Sequence, residues 1–354
     1  MIIDRYISRS IVRGTAGTLF VFAALFIFID FVRQLEHIGT KDFGMMDAAA
    51  FVLLGLPKKL YELAPSIILL GGLISMGSMA SNSELVVMRS SGITVSRIVR
   101  SVLQTGLMLA ILVGLVGEFV VPNATSMAKS LRAAAMDDRV LVGGEHGLWA
   151  RDGNRYFNVK MVMPDMQLDY LSIYELDGNR QLKRASTARR AYFEDGRWIL
   201  KQVEHSEFTE RGIKTTQSSE EEWPRLIKTD LFEVLKLEPE DMSAFSLKQY
   251  SDYLEENQLD TAVYLLAFWV KVFTPLACLV MLLIAMPLVF TATPRAGGVG
   301  QRVIVGLLLG VLFFVFNRAI NHLGVVYGVM PVLSASIPLL TVTFITIYLI
   351  RRIR

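Results

Sequence analysis

Apolar runs of about 20 residues, nearly free of charge, recur along this chain and alternate with densely charged stretches. Runs of that length match the thickness of a bilayer's hydrocarbon core. Reading them in order gives span one at Val12 to Val32, span two at Leu60 to Ala80, span three at Val99 to Val121 and span four at Val263 to Phe290. The last apolar stretch, Val303 to Ile350, is too long for one crossing. Gly324, Gly328 and Pro331 divide it into span five, Val303 to Leu323, and span six, Pro331 to Ile350. The pattern predicts a membrane α-helical bundle of six transmembrane helices with a polar domain inserted between the third and fourth.

Composition agrees. The 354 residues are 53% hydrophobic and only 19% charged, with a mean hydropathy of +0.44. A net charge of +3 is too small to suggest a nucleic-acid binder. The single cysteine, Cys278, lies in an apolar run, so no disulfide forms within the chain and the redox compartment is not readable. Arg5, Arg9 and Arg13 ahead of an apolar run resemble a signal peptide, but that run is long and Asp30-Phe31-Val32-Arg33 is no small-residue cleavage site. It reads as a retained first span.

Basic residues in short loops set the orientation. Arg5, Arg9 and Arg13, then Arg89, Arg97 and Arg100, then Arg295 and Arg302, and finally Arg351, Arg352 and Arg354 all fall on one side of a six-span bundle. Both termini are therefore expected in the cytoplasm and the large domain outside. Lys58 and Lys59 fit less well; they read as the outer end of span two, broken or kinked by Pro57 and Pro65.

The inserted domain changes period. Short β-prone runs such as Leu171 to Tyr174 and Trp198 to Leu200 are separated by the turn signals Asp152-Gly153-Asn154, Asp177-Gly178-Asn179 and Asp195-Gly196. An antiparallel sandwich or open roll follows. Its role stays open between a solvated accessory domain and a docking or conduit domain whose sheet edge accepts a partner's strand. After it, Leu247, Tyr250 and Leu254 mark an amphipathic helix from Ser246 to about Leu259, lying at the membrane surface. The expected domain boundaries are 1–122, with a short cytoplasmic helix at 81–92, then 123–260 with flanking helices, and 261–354.

No Gly-x-x-x-x-Gly-Lys-Ser/Thr segment occurs, and Gly297-Gly298-Val299-Gly300-Gln301-Arg302 lacks the lysine and hydroxyl that hold phosphate and Mg²⁺. His37, His146, His205 and His322 are scattered with no metal-ligand spacing. Neither an enzyme site nor a cofactor is indicated.

The most informative short segment is Ser81 to Thr94. Ser81 and Glu84 have the spacing of a capping box, and Gly92 is a stop signal, which predicts a short helix of about two and a half turns. Leu85, Met88 and Gly92 share one face, with Glu84 beside them. Either Glu84 only caps the helix while its apolar face rests on lipid, or the helix is a rigid peg seated in a partner's groove.

Ser83-Glu84-Leu85-Val86-Val87-Met88-Arg89-Ser90-Ser91-Gly92 resembles the coupling helix of the YjgP/YjgQ permease family, which exports lipopolysaccharide. Gly117-Glu118-Phe119-Val120-Val121-Pro122, Gly147-Leu148-Trp149-Ala150-Arg151-Asp152-Gly153 and Lys271-Val272-Phe273-Thr274-Pro275-Leu276 resemble it too, in order along the whole chain. The resemblance implies three spans, a periplasmic β-jellyroll and three more spans in the cell inner membrane. It implies a transport subunit without its own ATPase site, working with an LptB ATPase dimer, LptF, LptC and the periplasmic LptA bridge. On that reading Glu84, Leu85, Val86, Met88 and Arg89 face the ATPase.

Lipid export sets further expectations. Phe20, Phe22, Phe26, Phe28 and Phe31 of span one and Phe313, Phe314 and Phe316 of span five either line an apolar cavity or simply face lipid. Phe26, Arg33, His37, Lys41, Arg318 and His322 are the candidate substrate-binding residues, the cations among them suiting anionic phosphates. A structural ion pair between Arg318 and Glu118 or Asp30 is the competing reading. The rival functions are a permease for another ATP-driven lipid or lipoprotein pathway, and a membrane-anchored scaffold without transport.

Overall fold

The computed structural model describes residues 2–36, 38–39, 44–136, 140–141, 148–152, 154–162, 167–177, 181–194, 197–209, 212–223, 238–256, 260–291 and 299–352. The helices are α1 (Ile2–Leu35), α2 (Met45–Glu62), α3 (Ala64–Ser81), α4 (Glu84–Ser90), α5 (Val95–Leu115), α6 (Val121–Met136), α7 (Ala244–Glu256), α8 (Ala262–Thr291), α9 (Val299–Val326) and α10 (Pro331–Arg352). Six stretches, in α1, α3, α5 with its continuation, α8, α9 and α10, are long and apolar enough to cross a membrane. They match the six spans read from the sequence, so the chain is a multi-pass membrane protein.

Span two shows how proline shapes the bundle. α2 runs straight through Pro57, and the break falls later, at Leu63, with Pro65 in the first turn of α3. Proline belongs in a first turn because its missing N–H has no partner there anyway. Span three departs the other way: α5 passes through a π-helical turn, Val116–Val120, directly into α6, so the helix continues past the expected domain boundary at 122. Spans five and six separate where Gly328 takes φ +64° and Pro331 opens α10. The close approach of these two helices also requires Gly324, since a Cβ there would lie 2.1 Å from the Ser334 hydroxyl.

α3 and α8 are the most enclosed spans, and α1, α5, α9 and α10 surround them. Small residues let the backbones meet. A Cβ on Gly71 would lie 2.4 Å from the Thr15 Cα, and Ser75 donates a hydrogen bond to the Ser10 carbonyl at 2.9 Å, so this face of α3 holds α1. Ser66 donates to the Gly310 carbonyl at 2.9 Å, which fixes α9 on another face. At about 100° per residue, the Gly71/Ser75 and Ser66/Leu70/Leu73 faces of α3 lie roughly 150° apart. α1 and α9 therefore flank α3 on nearly opposite sides.

The β domain is a seven-stranded antiparallel sheet of β1 (Val140–Leu141), β2 (Leu148–Asp152), β3 (Arg155–Val162), β4 (Leu168–Leu176), β5 (Leu182–Glu194), β6 (Arg197–Thr209) and β7 (Gly212–Trp223). From β3 to β7 it is an up-and-down meander, and β1 and β2 share the outer side of β3. One face buries Phe157, Val159, Leu171, Ile173, Trp198, Leu200 and Val203. Tyr170 on β4 and Gln202 on β6 have φ near +57° and +54°, and Arg189 of β5 lies between them on the same line across the sheet. Along that line the alternation inverts. The buried positions run 171 and 173 on one side but 168 on the other in β4, where Asp169 is buried as well, 186 and 188 but 191 in β5, and 198 and 200 but 203 in β6. A residue in the left-handed region turns its neighbours over, so the crease keeps one face of a bent sheet apolar.

α7 buries Leu247, Tyr250 and Leu254 against Tyr264, Ala267 and Phe268 of α8. The expected amphipathic helix is present, and its apolar side rests on span four.

Candidate functional site

α4 lies at the end of the bundle away from the β domain, because α5 leads from it across the membrane to α6 and the sheet. The expected capping box does not form. Ser83 occupies the N-cap in the left-handed region, at φ 60°, and makes no side-chain cap. The Glu84 carboxylate instead accepts a hydrogen bond from the Tyr6 hydroxyl of α1 at 2.8 Å. Gly92 does end the helix as expected: at φ +88° it lets the Ile93 N–H reach back to the Met88 carbonyl at 3.1 Å.

The face shared by Leu85 and Met88 points inward. Leu85 is 3% exposed within the main core of the bundle, beside Met79, Ile98 and Val102, and Met88 packs on the same cluster. Leu85 is therefore not on the face a partner would meet; its side chain anchors the helix. The outward face is made by Val86 and Val87, 61% and 60% exposed, and by Arg89. Val87 and Tyr6 are the residues that sequence reasoning missed, since the outward register of so short a helix shows only once it is packed. α1 and α5 brace this end further: Ser101 donates to the Asp4 carboxylate at 2.6 Å, and Arg97 approaches it at 3.5 Å.

The candidate substrate residues lie towards the β-domain ends of the spans, in two separate groups. On α1, Phe26 is half-buried with the Lys59 ammonium 5.8 Å from its ring centre, and Arg33 is exposed in the last turn. Lys59 pairs with Asp30, which excludes the anticipated Asp30–Arg318 pair. On α9, Arg318 and His322 are exposed one turn apart, and Arg318 approaches Glu240 at 3.6 Å. Glu118 is also not its partner, being engaged by α7. The two groups stand on opposite flanks of α3 and are not brought together within this chain. His37 and Lys41 lie outside the described residues.

The phenylalanines divide likewise. Phe20 and Phe28 are 73% and 69% exposed, while Phe22, Phe26 and Phe31 are half-buried. On span five, Phe313 and Phe314 line a small cavity with Glu62, Ser66, Phe273 and Asn317. Among the described residues no set of three or more His, Cys, Asp or Glu side chains is gathered as metal ligands.

Below the sheet, the turn Pro239–Asp241 is fastened to the helices. Asp241 is fully buried and meets Lys58 of α2 at 2.5 Å and Lys129 of α6 at 3.1 Å. Burial works against the Lys58 charge, but its contact with Asp241 and the charges of Asp241, Glu62 and Glu238 together outweigh that and hold its pKa above the usual lysine value. Lys58 and Lys59, awkward in the loop-charge pattern, are thus both neutralised by acids.

Six apolar helices, an inserted antiparallel sheet and a braced short helix at the opposite membrane face define a polytopic permease subunit. The family model described as lipopolysaccharide export system permease LptF/LptG matches residues 5–352, and the chain belongs to that family. It is 34% identical to the lipopolysaccharide export system permease protein LptG of Escherichia coli strain K12, over 99% of this chain and 98% of the relative. It is 33% identical to the protein of that name from Haemophilus influenzae, over 99% of each.

Proposed function

We propose that this chain is the LptG-type half of an ATP-driven exporter that extracts lipopolysaccharide from the inner membrane and passes it to a periplasmic bridge. Both termini and α4 then lie in the cytoplasm, and the β domain lies in the periplasm. An LptB dimer hydrolyses the ATP, LptF supplies the second half of the permease, and LptC and LptA receive the lipid beyond it. The observation that carries the reading is α4 itself, held by Leu85 inside and Tyr6 beside it, with Val86, Val87 and Arg89 left outward. A helix anchored in this way transmits a push into the bundle, because its backbone hydrogen bonds are internal and its buried side cannot slip. Glu84, Val86 and Arg89 remain the coupling surface, joined by Val87, while Leu85 and Met88, packed on the core, carry the motion inward.

The energetic problem is desolvation. Exposing a lipid chain to water costs ~0.8 kcal/mol per methylene. Several long chains together cost tens of kcal/mol, so the lipid needs an apolar path throughout. The exposed phenylalanines and aliphatic residues of α1 and α9 suit such a path. Because those helices flank α3 on opposite sides, the cavity forms against LptF, with Phe26 and Arg33 on one wall and Arg318 and His322 on the other. The cations sit where headgroup phosphates would arrive. The test is photo-crosslinking to lipopolysaccharide in membranes from probes at Phe26, Arg33 and Arg318. ATP-dependent adducts are expected, and their absence at all three positions would contradict the proposal.

A further inference from the structure

Two apolar-span motifs 154 residues apart in sequence meet in space. The Lys271 ammonium, on a residue only 7% exposed in the first third of α8, donates a hydrogen bond to the Gly117 carbonyl at 3.0 Å. Gly117 belongs to the π-helical turn Val116–Val120. A π turn carries one extra residue and so frees a carbonyl from the helical ladder, which an α-helix would keep occupied. Tyr61 closes the contact from a third side. Its ring fills the space a Gly117 Cβ would need, at 2.3 Å, and lies 5.7 Å beneath the Lys271 ammonium.

The next residue faces the other way along the chain. Glu118 accepts hydrogen bonds from the Ala244 and Phe245 backbone N–H groups at 2.7 and 3.1 Å. Those are orphan donors of the first turn of α7, and a carboxylate there also complements the helix dipole. One π turn thus ties span three to span four through Gly117 and to α7 through Glu118. The segment just before α7 is held by the fully buried Asp241, which pairs with Lys58 and Lys129. Span five, by contrast, reaches this region through the Arg318–Glu240 pair, whose side chains are more than half exposed.

We infer that Lys271 and Glu118 are positioning residues that make α6, α7 and the β-domain ends of spans three and four one rigid block during transport, against which span five moves. The inference rests on the transport reading above and adds to it which parts move together. A load applied to α4 enters span three through α5 and is delivered at the π turn to α7 and span four without slack, so it is spent on opening or closing the span-five side.

Spin labels at Ser126→Cys on α6 and Gln249→Cys on α7, both exposed positions, give a distance across the joint in the complete transporter. Native Cys278 is buried and leaves the labelling selective. That distance is expected to be the same, and narrowly distributed, without nucleotide and with a non-hydrolysable ATP analogue. The distance from Gln249→Cys to Leu323→Cys on span five is expected to change. Glu118→Ala and Lys271→Met are expected to broaden the first distribution. Lipid transferred per ATP should fall about two- to thirty-fold in Glu118→Ala, with Glu118→Gln between it and wild type because one acceptor oxygen survives. A nucleotide-dependent Ser126–Gln249 distance, or a span-five distance as constant as that one, overturns the inference even if the variants do not fold. So do variants with wild-type widths and wild-type transfer. Failure of the transport reading is distinct: the unsubstituted complex would move no lipid, whatever the distances.

Discussion

The Tyr6 hydroxyl and the Glu84 carboxylate meet at 2.8 Å, joining the first turns of α1 to the first residue of α4 across 78 positions of sequence. Removing the donor frees the carboxylate without disturbing the helix behind it. The contact is exposed, so solvent screening keeps its contribution to stability small. Tyr6→Phe is therefore expected to leave expression and thermal stability near wild type while lowering lipid-coupled ATP hydrolysis roughly two- to tenfold. The check is ATPase activity of the reconstituted transporter with and without lipopolysaccharide.

Leu85 and Val87 separate packing from contact. Leu85→Ala opens a cavity in the main core and is expected to cost about 2–4 kcal/mol of stability. Val87→Ala removes exposed surface and is expected to leave stability within about 0.5 kcal/mol of wild type while weakening retention of the ATPase. Thermal denaturation in detergent, beside co-purification with the ATPase, distinguishes the two. Equal effects on stability would mean that α4 packs otherwise.

Asp241 is the buried anion between two partly exposed cations, and removing it leaves Lys58 and Lys129 without it. Asp241→Ala is expected to destabilise the protein by about 1–3 kcal/mol, a cost reduced because the stranded Lys58 and Lys129 side chains keep 23% and 38% of their exposure. Lys58→Met in the same chain should recover part of that loss, which a double-mutant cycle on thermal midpoints measures.

Much of this architecture is legible in the sequence, and the exceptions share a cause. The spans, the Gly328–Pro331 break and the Leu247–Tyr250–Leu254 face follow from length, punctuation and period, all of them local properties. Leu85 turned inward, Glu84 bonded to Tyr6 and Lys59 bonded to Asp30 depend on contacts between distant segments, which no window of sequence contains. The crease in the sheet hides for another reason. Period-two reading assumes an unbroken alternation, and Tyr170 and Gln202 invert it while carrying no glycine to announce the turn. Lys271 and Glu118 were visible in their motifs, but their roles came only when the π turn brought them to one place.

The crease gives its own expectation. Gln202 is exposed at φ 54°, a region that β-branched side chains tolerate worst and glycine freely. Gln202→Gly is expected to be neutral or stabilising and Gln202→Val to destabilise by about 1–2 kcal/mol, the reverse of ordinary strand preference. Thermal melts followed by the fluorescence of buried Trp198 on the same strand report the difference.

Acid should loosen the same sheet. Burial alone would raise the Glu221 carboxyl, but hydrogen bonds from His205 and Trp223 outweigh it and hold its pKa below the usual 4.5. A depressed folded-state pKa contributes stability that is complete above 4.5 and is lost as pH falls through the lower folded value. Glu221→Gln is therefore expected to flatten the fall in sheet stability below pH 4.5 and to leave its slope above pH 6 unchanged. Trp fluorescence across a pH series checks it.

The most direct measurement is made in proteoliposomes holding the complete transporter, with lipid delivery to the periplasmic bridge and ATP hydrolysis followed together for Glu84→Ala and Val87→Asp. Expected is that delivery falls at least tenfold in both variants, with weaker retention of the ATPase in Val87→Asp, while the ATPase subunit keeps its own basal hydrolysis. Delivery at the wild-type rate in both variants would contradict the claim that force enters this permease through α4.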